Sequence, residues 1–487
     1  MPILSRRRSG QNVIFDLSGN QFGVYMRYLI CSLRFRPLHI RTMTTHAELR
    51  ASPSQFAELL SEARARTLLL IRPLSEEELK IQHDVLMSPV IWDLGHIAHF
   101  EDVWLFQNVE TGGSGKEGLS GVFDPFSNPR SVRGALPLPS VEECLDLMAT
   151  VRARVLDKLA HVDLDSGTDL LHDGYVYQMV LQHEYQHNET ILQTLQLKKG
   201  EPYRAPRSIH TPMGRPINGE AACDPAGDMV RFPGGLVDIG TDDRSVAYDN
   251  ERPRHRVRVR PFWIDQTPVT NQQYLRFIEA GGYGRREFWS DAGWDFVQKE
   301  KLEAPKYWFR QDGAWHTRFM DRESGIRGDL PVCHVCYHEA EAFARFAGKR
   351  LPTEMEWEAA ASWDPATGQK RIYPWGDEAP NPSLANLDQL AFEPAPVGAY
   401  PANLSPVGCY GMIGDVWEWT SSDFAGYPGY VTFPYKEYSE VFFGPEYKVL
   451  RGGSWATRPG AIRNSFRNWD YPIRRQIFSG FRCARDA

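Results

Sequence analysis

From about residue 53 to residue 199, apolar positions recur with the three-and-four spacing of helices that bury one face, as from Phe56 to Leu70 and from Val141 to Met148. Ser52 followed by Pro53 reads as an N-cap with proline at the first helical position. Long helices joined by loops predict a four-helix bundle over residues 50–205. A Pro- and Gly-bearing linker, residues 206–228, then separates two textures. Beyond it, Phe232 to Gly240 and Arg256 to Ile264 alternate as strands do, while Asn271 to Ala280 and Glu339 to Ala347 have helical spacing. The expected fold class is therefore α + (α+β), a helical bundle followed by a mixed domain over residues 229–487 with short strands and many turns.

A chain of 487 residues exceeds one ordinary core, which agrees with two domains. A net charge of −7 gives no reason to expect nucleic acid or an anionic membrane as partner. Seven cysteines without paired spacing, apart from Cys333-x-x-Cys336, fit a reducing cytoplasm, and that pair is expected to be structural. No apolar run is long enough to cross a bilayer. Residues 1–42 differ from the rest, with seven arginines against Asp16 as the single acid. That fits a targeting presequence or a start assigned too early; translation is expected to begin at Met43, with residues 1–42 disordered.

The chemistry-bearing pattern lies between Leu181 and Thr190. On a helix His183 and His187 stand four residues apart and project from one face, where two imidazoles can grip one metal ion. Such pairs also occur on solvated faces, but Val180, Leu181, Ile191 and Leu192 indicate burial, which is costly for histidines without partners. A third ligand is expected from His96 or His99, with His96 preferred. Three imidazoles suit Fe(II), Zn(II), Ni(II) or Cu(II) and leave coordination positions open. Gln186 and Glu189 are expected to orient a ring N–H or to touch a ligand. The same residues spell H-E-x-x-H, so a zinc protease with Glu184 as general base is the lesser alternative; Thr190 and Gln193 stand where the extended metzincin form needs Gly and His. The loop from Gly112 to Pro139 is long enough to reach over the site, with Arg130 and Arg133 as anion binders or as solvated charges.

In the second half Gly348 to Ala360, Tyr373 to Asp377, Gly414 to Thr420 and Arg451 to Trp455 closely resemble, in that order, the formylglycine-generating-enzyme-like fold, which is related to C-type lectins. Most of these residues are expected to maintain the fold, and Asp415 with Glu418 is a candidate for a structural Ca²⁺. True formylglycine-generating enzymes resemble one another in a cysteine pair after this motif; Trp455 to Arg463 holds none, which argues against copper ligation there. A DinB-type bundle with this histidine pattern, fused ahead of such a domain, resembles the ergothioneine sulfoxide synthases from about residue 50 onward. The resemblance implies a non-haem iron(II), dioxygen-dependent enzyme joining a small thiol, γ-glutamylcysteine or cysteine, to hercynine. It implies His96, His183 and His187 as iron ligands, Gln186 against the hercynine imidazole, Tyr435 as proton or hydrogen-atom donor, and Tyr438 beside it. It further implies Asn468 and Trp469 at the betaine, with Asp470, Arg474 and Arg133 at the thiol substrate. Three rivals stand beside it: a selenoneine synthase taking a selenosugar, a non-catalytic lectin-like binding module, and a DinB-type thiol transferase using a divalent metal without redox.

Overall fold

Ser52 opens the first helix as its sequence context predicts: its hydroxyl accepts from the Gln55 N–H at 3.3 Å while the Gln55 side chain accepts from the Ser52 N–H at 2.8 Å. The computed structural model describes residues 51–109, 121–164, 168–205 and 227–487. The expectation for residues 1–42 lies outside them, as does most of the 206–228 linker. Helices α1 (Pro53–Ile71), α2 (Glu76–Lys80), α3 (Val90–Asp102), α4 (Val141–Leu159) and α5 (Tyr175–Gln196) form the bundle, and a π-helical turn, Val103–Gln107, extends α3. Helix α5 buries 18 of its 22 residues, so it is covered on nearly every side and its polar residues must find protein partners.

Glu184 finds its partners in a set of four charged residues, one from each long helix. Arg64 of α1 bonds Glu184 of α5 (Nε to Oε1, 2.9 Å) and Glu101 of α3 (2.9 Å). Arg152 of α4 bonds the same two carboxylates at 2.7 and 2.6 Å. This closed ring of two positive and two negative groups, all buried, ties the bundle together in one register. Exchanging such a ring for apolar residues can be neutral, but deleting one member leaves a buried charge unpaired.

The two strand-like runs each divide between two sheets. Met229–Phe232 pairs with Phe262–Asp265, which also takes the C-terminal strand Ala484–Asp486, whereas Gly235–Ile239 pairs with His255–Val259. The breaks fall where Gly234, at φ +80°, faces Pro261, whose ring nitrogen would lie 2.8 Å from a Cβ at 234. A four-stranded sheet, ordered Asn468–Asp470, Gly444–Arg451, Trp417–Phe424, Ser479–Gly480, carries the segments expected to bind substrate.

Acids in the sequence motifs of this half pair with buried arginines. Glu354 holds Arg467 through two bonds of 2.9 Å, Glu358 holds Arg451 at 2.6 Å, and Glu418 holds Arg482 at 2.7 and 2.8 Å. Glu418 also accepts from Trp357 Nε1 at 2.7 Å. Its two oxygens are thus committed to a guanidinium and an indole, which removes it as a Ca²⁺ ligand. Asp415 accepts from Asn386 Nδ2 and the Ala395 N–H, each at 2.8 Å, and burial pushes its carboxyl up to about 6. The calcium expectation is corrected accordingly: these carboxylates serve protein donors. Cys333 and Cys336 are buried free thiols. No helix among the described residues is long and apolar enough to cross a membrane.

Candidate metal centre

Helix α5 carries His183 and His187 on one face, and α3 packs across it so that His96 completes the group. Ligand atoms of the three rings all lie within 4.8 Å of one another, with His96 Nε2 and His183 Nε2 3.3 Å apart. The 3.3 Å separation suits two nitrogens sharing one ion at bond lengths of about 2.0–2.1 Å. Among the described residues, no other set of three or more His, Cys, Asp or Glu converges in this way. His99 stands apart, its ring centre 6.5 Å from that of His96.

For His96 the far side of the ring explains why the lone pair faces inward. His96 Nδ1 is 2.9 Å from the Phe123 carbonyl, which can only accept, so Nδ1 carries the proton and Nε2 is bare. That carbonyl reaches the ring because position 95 is glycine: a Cβ there would sit 2.1 Å from the Phe123 ring. Asp93 Oδ1 lies 3.2 Å from His187 Nδ1, and His183 stacks on Phe100 with ring centres 3.7 Å apart. Burial, followed by the neighbouring histidines, holds His96 and His183 well below the usual imidazole range, so both are neutral donors. The donor set thus fits a borderline divalent metal.

Glu184 does not face this centre. Burial alone would push its carboxyl up, but Arg64 and Arg152 hold it down at about 2, and Thr67 donates to it at 2.8 Å. It belongs to the charge ring, which corrects the zinc-protease alternative. Glu189 is a second correction. It orients no histidine, and instead accepts from Trp417 Nε1 (2.7 Å), Ser454 Oγ (2.7 Å) and Thr457 Oγ1 (2.6 Å) of the mixed half.

The other expected residues follow a chain of contacts that starts at Gln186, next to His187, and returns to His96. Gln186 Nε2 donates to Tyr438 Oη at 3.1 Å, and Tyr438 meets Trp469 edge-on with ring centres 5.8 Å apart. Trp469 lies between Asn468 and Asp470 on an edge strand, and Asp470 Oδ2 is 3.2 Å from Arg474 Nε. Arg474 Nη1 donates to the Leu86 carbonyl at 2.8 Å, two residues from Ser88, whose hydroxyl accepts from Arg133 Nη1 at 2.8 Å. Arg133 lies 3.4 Å over the Trp92 ring, and Trp92 stacks on His96. Tyr435 packs on Trp104 at 4.7 Å and on Phe100, which covers His183. Arg130 is exposed.

Residues 59–191 match the DinB superfamily, and residues 216–487 match the sulfatase-modifying factor enzyme 1-like domain. The chain is 47% identical to the hercynine oxygenase of Mycobacterium tuberculosis over 89% of its own length and 99% of that protein's. It belongs to the hercynine oxygenase family. The hercynine oxygenase of Mycolicibacterium thermoresistibile is also 47% identical, over 89% of this chain and 95% of that one. A formylglycine-generating enzyme of Streptomyces coelicolor is 36% identical but spans only 53% of this chain. Membership in a hercynine oxygenase family disfavours the binding-module reading, and likeness across both halves means that the bundle and the mixed domain occur together in these relatives.

Sequence reasoning missed several residues of the site. Tyr248 stacks on Tyr438 at 4.1 Å and its hydroxyl is 3.3 Å from Gln186 Nε2. Asp93, Phe100, Trp104 and Phe123 shape the histidine pocket. Only Asp93 carried a signal, since on a helix it lies three residues before His96 and shares its face.

Proposed function

We propose that this chain joins hercynine to a small thiol, γ-glutamylcysteine or cysteine, and oxidises the new link to a sulfoxide, using dioxygen and Fe(II) at the three histidines. The balance is one thiol, one imidazole C–H and one dioxygen giving one sulfoxide and one water. Fe(II) bound there would supply the redox coupling between thiol and dioxygen. The observation that carries the reading is the chain of contacts that runs from Gln186, next to His187, to Trp92, stacked on His96, with one stretch suited to a betaine and another suited to an amino-acid-like thiol.

On the first wall, the Gln186 amide nitrogen is spent on Tyr438 and Tyr248, so its carbonyl oxygen is left to accept the imidazole N–H of hercynine. Trp469 and Tyr438 supply the aromatic surface that attracts a trimethylammonium group, with Asn468 beside them. On the second wall Arg133, held down at about 9 by burial, stays cationic at neutral pH; with Arg474 it receives carboxylate, while Asp470 receives an amino group. Arg133 and Arg474 are already fixed by Ser88 and by the Leu86 carbonyl, so little freedom is lost on binding. Tyr435, whose hydroxyl burial holds well above its ordinary range, is a neutral donor able to deliver a hydrogen to oxygen that becomes water.

The test is aerobic incubation of Fe(II)-loaded protein with hercynine and, in parallel, each thiol or a selenosugar, analysed by mass spectrometry. A hercynyl sulfoxide is expected. No adduct with either thiol would refute the reading, and an adduct formed only with a selenosugar would reassign the donor.

A further inference from the structure

Tyr435 and Tyr438 lie on a loop gripped at both ends by one carboxylate. Asp249, fully buried, accepts from the Phe433 N–H at 3.2 Å and from the Tyr430 hydroxyl at 2.7 Å through one oxygen, and from the Ser439 hydroxyl through the other. Asn250 Nδ2 adds a bond to Ser439 Oγ at 3.0 Å. The grip therefore begins two residues before Tyr435 and ends one residue after Tyr438. None of these three donors to Asp249 is cationic, so if the loop shifted, a buried carboxylate would lose its compensation.

The clamp is itself fixed to the histidine helix. Asp249 sits in a short turn closed by Glu251, which accepts from the Tyr248 N–H at 3.0 Å. Glu251 holds Arg463 (Nε to Oε2, 2.8 Å), and Arg463 donates to Gln182 of α5 at 3.0 Å, one helical turn before Gln186. A continuous path of buried polar bonds thus runs from α5 to the tyrosine loop.

We infer that Asp249 is a positioning residue that fixes where Tyr435 stands against Phe100, the ring that covers His183, and thereby sets how a bound thiol divides between sulfoxide and sulfinic acid. This rests on the proposed function. In the sulfoxide route the S–H and C–H hydrogens leave in water, one oxygen stays on sulfur, and dioxygen takes four electrons. In the competing route the thiol takes both oxygens to give a sulfinic acid, and hercynine is untouched. Only the first forms water, so only it depends on a hydrogen donor at the correct distance, where a displacement of about 1 Å can cost on the order of 10²-fold.

The experiment compares wild type, Asp249→Asn, Ser439→Ala and Tyr435→Phe for the ratio of hercynyl sulfoxide to sulfinic acid, with iron content measured on each sample. In Asp249→Asn one oxygen becomes an amide donor, which cannot serve both ends of the loop. A fall of about tenfold or more in the ratio is expected, with iron retained, and a smaller fall in the same direction for Ser439→Ala. If Tyr435→Phe shifts the ratio while the other two keep the wild-type value, the inference is overturned. A ratio that moves only together with loss of iron assigns Asp249 a merely structural role and overturns it too. If Tyr435→Phe leaves the ratio unchanged, the underlying role of Tyr435 fails instead.

Discussion

Replacing Glu358 by glutamine tests whether the motif acids of the mixed half act as its ionic skeleton. Glu358 is fully buried and accepts from Lys370 Nζ at 2.5 Å, Arg451 Nη2 at 2.6 Å and the Gly240 N–H at 2.8 Å. Burial raises its pKa, but the two cations overcome that and bring it from 4.5 to about 2. A shift of this size is equivalent to about 3 kcal/mol of stability. Because the folded value is depressed, the contribution is present above pH 4.5 and is lost as pH falls towards 2. Glu358→Gln should therefore cost about 3–5 kcal/mol at pH 7, since it also leaves two buried cations without their counterion. The wild-type advantage should shrink by about 2 kcal/mol by pH 3, where the wild-type carboxyl begins to protonate. Urea unfolding followed by tryptophan fluorescence at pH 7, 5, 4 and 3 measures both quantities. A variant within 1 kcal/mol of wild type at pH 7, or a gap that does not narrow on acidification, would refute the reasoning.

His183→Ala should lose stoichiometric iron while keeping its helical circular dichroism; full iron retention would exclude this residue as a ligand. Gly95→Ala would drive a methyl into the Phe123 ring and displace the carbonyl that orients His96. A loss of about 10–100-fold in metal affinity is expected by metal titration, and unchanged affinity would show that the carbonyl does not hold the ring. Glu189→Ala should cost about 1–3 kcal/mol through the buried Trp417 indole N–H it leaves without an acceptor, read by urea unfolding; a neutral change would mean that water replaces the carboxylate.

The parts of this protein that obey a local period were legible in the sequence. The helices carrying Phe56 to Leu70 and Val141 to Met148 form as their spacing predicts, and His183 and His187 share a face because four residues nearly complete a helical turn. Illegible were the partners of Glu184 and Glu189. They neighbour the histidines in sequence, but their directions are set by Arg64, 120 residues earlier, and Thr457, 268 residues later. Spacing identifies a face and says nothing about what will pack on it. The Asp249 clamp was hidden for the same reason, since its loop follows 184–190 residues later and bears no common motif. Gly95 has a role that spacing does not reveal, because the Phe123 ring occupies the place a side chain there would take.

The contacts of Glu189 also bear on the order in which the molecule is made. Helix α5 leaves the ribosome long before Trp417, Ser454 and Thr457, which lie 228, 265 and 268 residues further on. At synthesis rates of about 5–20 residues per second, that interval is roughly 10–50 s. Throughout it the helix has its histidines but lacks the surface that will cover its far side. The helices that carry the three histidines are therefore synthesised well before the groups that give Glu189, on the same helix, its hydrogen-bond donors.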